Sequence, residues 1–80
     1  MKARVHVTLK SGVHDPQGKA IRYALSQLGY ESVDDVRAGR LFELELSETD
    51  PEKAHAQVDR MCRDLLANTV VETYDIELSA

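Results

Sequence analysis

The stretch Gly12-Val13-His14-Asp15-Pro16-Gln17-Gly18-Lys19-Ala20, continued by Ile21-Arg22-Tyr23-Ala24-Leu25-Ser26-Gln27-Leu28-Gly29-Tyr30, decides how the chain divides. It reads as a loop, a helix start, a helix and a helix stop. Asp15 suits the N-cap, where its carboxylate accepts a free amide hydrogen of the first turn. Pro16 suits the first helical position, where a missing amide costs nothing. Ala20, Ile21, Ala24, Leu25 and Leu28 fall on one face at helical spacing. Gly29 is placed to turn left-handed and end the helix, with Tyr30 folding back on Leu25. Gly18 is the exception, since Gly in a helix costs about 1 kcal/mol relative to Ala. Either a neighbouring strand packs close to its backbone, or another molecule approaches the helix start there.

Outward from this helix, Ala3 to Lys10 alternates: Val5, Val7 and Leu9 point one way, and Arg4, His6, Thr8 and Lys10 the other. This predicts a half-buried strand. Val33 to Ala38 reads as a second strand. Arg37-Ala38-Gly39-Arg40 then reads as a hairpin turn, with Gly39 supplying a positive φ. Phe42, Leu44 and Leu46 alternate with Glu43, Glu45 and Ser47 in a third strand. Thr49 or Asp50 caps a second helix that Pro51 opens and Glu52 supports. Its apolar stripe is Ala54, Val58, Met61, Cys62 and Leu65, and Asn68 is its stop. Tyr74, Ile76 and Leu78 alternate with Asp75, Glu77 and Ser79 in a last strand.

The order β-α-β-β-α-β predicts an α+β fold of the ferredoxin-like kind, with one antiparallel sheet and both helices on one face. Residues 1–80 are expected to form a single domain, with the first strand central. On the polar sheet face, Arg4, His6, Thr8 and Lys10 should lie between Glu43 and Glu45 on one side and Asp75 and Glu77 on the other. Such opposite-charge pairs contribute about 0.2–1 kcal/mol each. That face is either solvated or a subunit interface.

At 80 residues the chain buries a limited core. A core of this size rarely supplies more than about 3–5 kcal/mol without a staple. One cysteine permits no internal disulfide, so association with a second chain is a natural source of stability. The formal charge of −4 argues against nucleic acid, whose phosphates are bound by clustered Lys and Arg. No apolar run approaches the roughly 18 residues of a membrane span, so no membrane partner is expected. The N-terminus enters a strand pattern without a signal-peptide pattern, which sets a cytoplasmic expectation.

Chemistry is sparse. Cys62 sits on an apolar helix stripe and is expected in the core. His6, His14 and His55 have no spacing resembling a zinc site. His14-Asp15 is a poor catalytic dyad, because adjacent residues rarely face each other and Asp15 serves as a cap. The helix start, with Gly18 and Lys19, resembles an anion site, but the Asp15 carboxylate would repel an anion there. Arg37 and Arg40 flank the expected turn and are solvated or dock an acidic group. No nucleophile, base and oxyanion site assembles. The residues describe a small acidic module that binds rather than catalyses.

The run Val5-x-Val7-x-Leu9-Lys10-x-Gly12-Val13-x-Asp15-Pro16-Gln17-Gly18-x-Ala20-Ile21, then Ala24-Leu25-x-x-Leu28-Gly29-Tyr30, resembles the PurS family. So do Val36-Arg37-x-Gly39-Arg40 with Glu43-Leu44, and Leu65-Leu66-Ala67-Asn68-x-Val70-Val71-Glu72-x-Tyr74. Thr69 stands where Pro is common in the family, and Arg40 where Lys is common. The resemblance implies the small, non-catalytic subunit of phosphoribosylformylglycinamidine synthase, in de novo purine synthesis. The assembled enzyme would convert formylglycinamide ribonucleotide, ATP and glutamine to the amidine, ADP, phosphate and glutamate. ATP and Mg would belong to the complex, with no cofactor in this subunit. The implied partners are itself, as a homodimer or higher oligomer with strands exchanged between protomers, a synthetase large subunit, and a glutaminase subunit whose ammonia it helps transfer.

For partner docking the residues suggest Gly12, His14, Asp15, Gln17 and Gly18 at the helix start, Arg37, Gly39 and Arg40 at the expected turn, and Tyr23 on the polar side of helix one. The alternative is a regulatory module of the amino-acid-sensing (ACT) type, which shares the element order and binds a small metabolite. A stand-alone acyl-phosphate hydrolase would need an anion-clamping Arg after strand one, and Ser11-Gly12-Val13-His14 offers none.

Overall fold

A computed structural model describes residues 1–80. Strand β1 (Lys2–Leu9) is central, β2 (Gly39–Glu45) and β3 (Glu72–Ser79) flank it, and both pairings are antiparallel. Helix α1 (Pro16–Gln27) follows β1, and helix α2 (Pro51–Met61) follows β2 and continues as a π-helical turn over Cys62–Leu66. The alternation in β1 is realised in full. Ala3, Val5 and Val7 are buried beneath α2, with Val58, Cys62 and Ala67. Phe42, Leu44, Tyr74, Ile76 and Leu78 pack round them.

The opposite face carries the expected charges. Register places Arg4 between Glu43 and Glu77, and Lys2 opposite Glu45. Lys2–Glu45 and Arg4–Glu43 approach to 3.5 and 3.7 Å, and His6 lies 3.7 Å from Glu77. These pairs are exposed, so each is worth about 0–1 kcal/mol. Leu41 is the apolar residue on this face, opposite His6.

Two expectations about the topology are corrected. The second strand over Val33–Ala38 does not form, so the observed order is β-α-β-α-β. The hairpin it required is absent. Gly39 has no positive φ and pairs with Thr8 as the first residue of β2, where a Cβ would meet the Val7 carbonyl oxygen at 2.7 Å. The chain therefore runs through the expected turn without reversing. Its amides and carbonyls are engaged elsewhere: the Val33 carbonyl accepts from Arg22 Nε, and the Ala38 amide donates to Asp15.

The second correction concerns α1. It leaves the sheet instead of covering it: Gly18 is its one buried residue, and none of its residues joins the core. Residues 33–38 return alongside it, so the two form an arm. The molecule measures 48 × 26 × 15 Å, and its radius of gyration is 15.9 Å. A compact chain of this length would have about 12 Å.

The arm ends as its sequence requires. Gly29 is left-handed at φ 98°, its amide donates to the Ser26 carbonyl, and the Tyr30 amide donates to the Leu25 carbonyl. In α2, Asp50 caps by accepting from the Glu52 amide. The π turn alters the stripe beyond. The Ala67 amide reaches back five residues to the Cys62 carbonyl, which swings Leu65 out of the core to 83% exposure. Leu65 was expected on the buried stripe. Leu66 and Ala67 turn inward there instead.

Val58 is the largest side chain of α2 with no exposed surface; Ala54 is the other residue of the helix fully buried. Val58→Ala is expected to lower unfolding free energy by about 2 kcal/mol, from two lost methyl groups and the cavity they leave. Urea denaturation measures this, and a cost below about 0.5 kcal/mol would contradict the packing described.

Candidate functional site

The arm is fastened to the sheet at one buried carboxylate. Asp15 is 4% exposed. Its Oδ1 accepts from the Gly18 amide at 2.8 Å, and its Oδ2 accepts from the Ala38 amide at 2.8 Å. One side chain thus caps α1 and ties it to the chain entering β2. The hydrogen bonds from Gly18 and then Ala38 hold the Asp15 carboxyl below its ordinary range, against the desolvation that would raise it, and the Arg37 charge adds to the lowering.

Gly18 now has its reason. A Cβ there would overlap the Val36 carbonyl oxygen and crowd Asp15 Oδ2 at 2.9 Å. Of the two readings, close backbone packing is the one realised, although the neighbour is the extended segment before β2 and not a strand. Arg37 fastens the same junction from outside: its Nη1 donates to the Val13 carbonyl at 3.0 Å and its Nη2 to the Lys10 carbonyl at 3.2 Å. Gly12, at φ 85°, lets the loop turn between these two anchors.

Arg40 closes the adjoining edge. Its Nη2 donates to both Glu72 carboxylate oxygens, at 2.7 and 2.9 Å, and to the Leu66 carbonyl at 3.2 Å. Glu72 Oε1 also accepts from the Asn68 amide at 2.7 Å. The guanidinium carbon lies 5.8 Å from the Phe42 ring centre.

Eight of the nine docking candidates therefore gather at one end of the sheet. Gly12, His14, Asp15 and Arg37 line one cleft, and Asp15, Gln17, Gly39 and Arg40 line a second one beside it. Gly18 lies beneath. Tyr23 is separate, 68% exposed and farther out along α1. The candidates differ in kind. Asp15 and Gly18 are buried in the junction, while Gly12, His14 and Gln17 are exposed on it.

A third surface escaped sequence reasoning. Leu44, Met61, Leu65 and Leu66 line an open groove between β2 and the end of α2, flanked by Gln57, Arg60 and Asp64. The helical spacing of Met61 and Leu65 signalled apolar character, but not that the π turn would leave it facing outward. Elsewhere Cys62 is buried as expected, and burial pushes its thiol up. Tyr74 Oη donates to Asp59 Oδ1 at 2.5 Å, which lowers the Asp59 carboxyl and raises the Tyr74 phenol.

Comparison with known proteins gives a consistent result. The family model PurS, described as phosphoribosylformylglycinamidine (FGAM) synthase, matches residues 2–80. The chain is 48% identical over 77 residues to a phosphoribosylformylglycinamidine synthase subunit PurS from Synechocystis, covering 96% of this chain and 77% of that one. It is 44% identical over 77 residues to the Bacillus subtilis subunit, covering 96% and 90%. The solved structure of B. subtilis PurS superposes with a TM-score of 0.90 at 43% identity, covering 99% of this chain and 98% of the other. A chain of PurLQS from Thermotoga maritima superposes with a TM-score of 0.87 at 34% identity, covering 95% and 93%.

The Asp15 geometry makes a pH prediction. Its folded-state value is depressed, so the stability it contributes is present above the ordinary range near 3.8 and is lost as pH falls through the folded value. Asn keeps one acceptor oxygen and turns an amide donor toward the other N–H group. Asp15→Asn is expected to melt lower than the wild type at neutral pH, with the gap closing between about pH 5 and about pH 2. Thermal melts across that range measure it, and a pH-independent gap would contradict the assignment.

Proposed function

This chain belongs to the PurS family of phosphoribosylformylglycinamidine synthase subunits, and from that premise we propose that it works as a non-catalytic clasp in the assembled ligase. The observation that carries the reading is the arm. Ile21, Ala24, Leu25 and Leu28 make an apolar stripe on α1 that the same protomer covers only in part: Leu25 is half-buried, while Ile21 and Leu28 are 39% and 73% exposed. The groove at Leu44, Met61, Leu65 and Leu66 is a second apolar surface in want of a partner. Within one extended protomer the stripe does not join the core that the groove borders. In a pair of copies, each arm can lie beside α2 on the apolar side of the other's sheet, where Phe42, Leu44, Tyr74 and Ile76 are only partly buried, which is an isologous and closed arrangement. Such an exchange would complete in trans the two-helix layer expected of the ferredoxin-like fold.

The resulting oligomer needs no reactive group. In the synthase, a glutaminase subunit would release ammonia and a large synthetase subunit would use it, with ATP and Mg, on formylglycinamide ribonucleotide. Ammonia that escapes to water is lost to the reaction. A third subunit that holds the other two raises the effective concentration of one at the other and fixes their orientation. The docking surface proposed for this is the arm's base, with Gly12, His14 and Gln17 exposed on it and Asp15, Gly18, Arg37, Gly39 and Arg40 holding its shape. Tyr23 on the arm is a further contact. A cytoplasmic setting fits this role, and no helix of the chain is long and apolar enough to cross a membrane. The family match sets aside the metabolite-sensing alternative.

Reconstitution tests the proposal. Glutamine-dependent amidine formation by the other two subunits is expected to rise at least tenfold on adding this chain, while the chain alone forms no product. An unchanged rate, or turnover by the isolated chain, would contradict it.

A further inference from the structure

The strand over residues 33–38 and the turn at residues 37–40 do not form, yet the places they would occupy are free. In the order β2-β1-β3, β2 has β1 on one side and an open edge on the other. On the apolar side of the sheet α2 packs against β3, while Phe42 and Leu44 on β2 are only partly buried. Leu44 borders the open groove. A hairpin at residues 37–40 would lay residues 33–38 along the open edge of β2. The α1 stripe could then cover β2 beside α2 in the same protomer. The tethers permit it. Residues 10–15 join β1 to α1, and residues 28–32 would join α1 to the new strand, both within the usual span of about two to six residues. Gly39 can supply the positive φ of such a turn, and Asp34 and Asp35 are charges that suit an edge strand.

A ladder of contacts holds the chain out of that arrangement. It fastens residues 33–38 to the flank of α1 in antiparallel order. Arg22 Nε donates to the Val33 carbonyl at 3.3 Å, Gly18 lies against the Val36 carbonyl, and the Ala38 amide donates to Asp15 Oδ2 at 2.8 Å. Arg37 stands where the chain would have to turn, and its bonds to the Lys10 and Val13 carbonyls fix it there. The chain therefore runs straight from the arm into β2. The protomer keeps a radius of gyration of 15.9 Å, with Leu28 73% exposed at the arm's end.

We propose, resting on the arm exchange described above, that this junction is a latch that denies α1 its own sheet and so reserves its stripe for a second copy. The same residues have two ways to cover the stripe: within one chain, as a compact monomer, or between two, as an exchanged pair. Both bury the same kinds of surface, so contacts made in only one of them decide the balance. Asp15, Gly18 and Arg37 supply those contacts to the open form. Without them the compact form wins on dilution, because it needs no partner.

Ala38→Pro is the sharpest probe. It removes the amide that Asp15 holds, and it favours a turn, since Pro suits the second position of a turn and Gly the one after it. Sedimentation and small-angle scattering are expected to find a folded monomer at concentrations where the wild type is an oligomer, with a radius of gyration of about 12 Å. Its amides from Ile21 to Leu28 should be protected from exchange at every concentration. Arg37→Gln is milder, because it cuts the two bonds to the loop and leaves the Asp15 carboxylate in place. It is expected to raise the dissociation constant of the oligomer about tenfold, and the released protomer should again be compact. Oligomers unchanged in both variants would overturn the proposal. So would released protomers that stay extended with α1 unprotected, since the junction would then only brace the arm. If Ala38→Pro does not fold, Arg37→Gln decides by the same two readouts. A wild type that is monomeric at every concentration would instead strike the exchange reading, so the two failures are distinguishable.

Discussion

The structure depends on an apolar helix face that its own protomer covers only in part. Ile21, Leu25 and Leu28 recur at helical spacing on α1, yet Ile21 and Leu28 are 39% and 73% exposed. Burying a Leu or Ile side chain fully is worth about 1.5–3 kcal/mol. Covering the surface still exposed on Ile21 and Leu28 would recover part of that, a useful gain beside the about 3–5 kcal/mol that a core of this size supplies. The buried core here consists of small side chains: Ala3, Val5, Val7, Ala54, Val58, Cys62 and Ala67. A protomer built this way has much to gain from a second copy.

What makes the arm a device and not a loose end is its root. The Asp15 carboxylate joins the cap of α1 to the entry of β2, Gly18 brings the two backbones into contact, and Arg37 pins the loop between them. These contacts set the angle at which the arm leaves the sheet. They also shape the surface on which His14 and Lys19 stand. Whatever fixes the arm therefore also fixes the surface at its base.

Much of the fold was legible because local chemistry and tertiary context agreed. The alternation of Val5 and Val7 with Arg4 and His6 marked β1 and its two faces, and Asp15, Pro16 and Gly29 marked the bounds of α1. Asp50 and Pro51 did the same for α2. The PurS resemblance, carried by Asp15-Pro16-Gln17-Gly18 and the later segments, was also in the residues. The misses share a cause, which is that a partner outside the local window decided them. Val33 to Ala38 has strand-like character, but its Ala38 amide goes to Asp15, 23 residues earlier. Gly39 looked like a turn residue because a Cβ is excluded there, and the excluding atom is a β1 carbonyl. Leu65 fits a 3.6-residue period that the π turn breaks. The arm was invisible for the same reason: an amphipathic stripe shows that a helix face will be covered, but not by which chain.

Hydrogen exchange of the α1 amides, followed as a function of protein concentration alongside sedimentation, tests this account most directly. The account predicts that at high concentration the chain sediments as a homo-oligomer and the amides from Ile21 to Leu28 are protected, and that dilution to the protomer removes the protection while β1 stays protected. Protection of those amides that persists unchanged in a dilute monomer would contradict it, because the stripe would then be covered within a single chain.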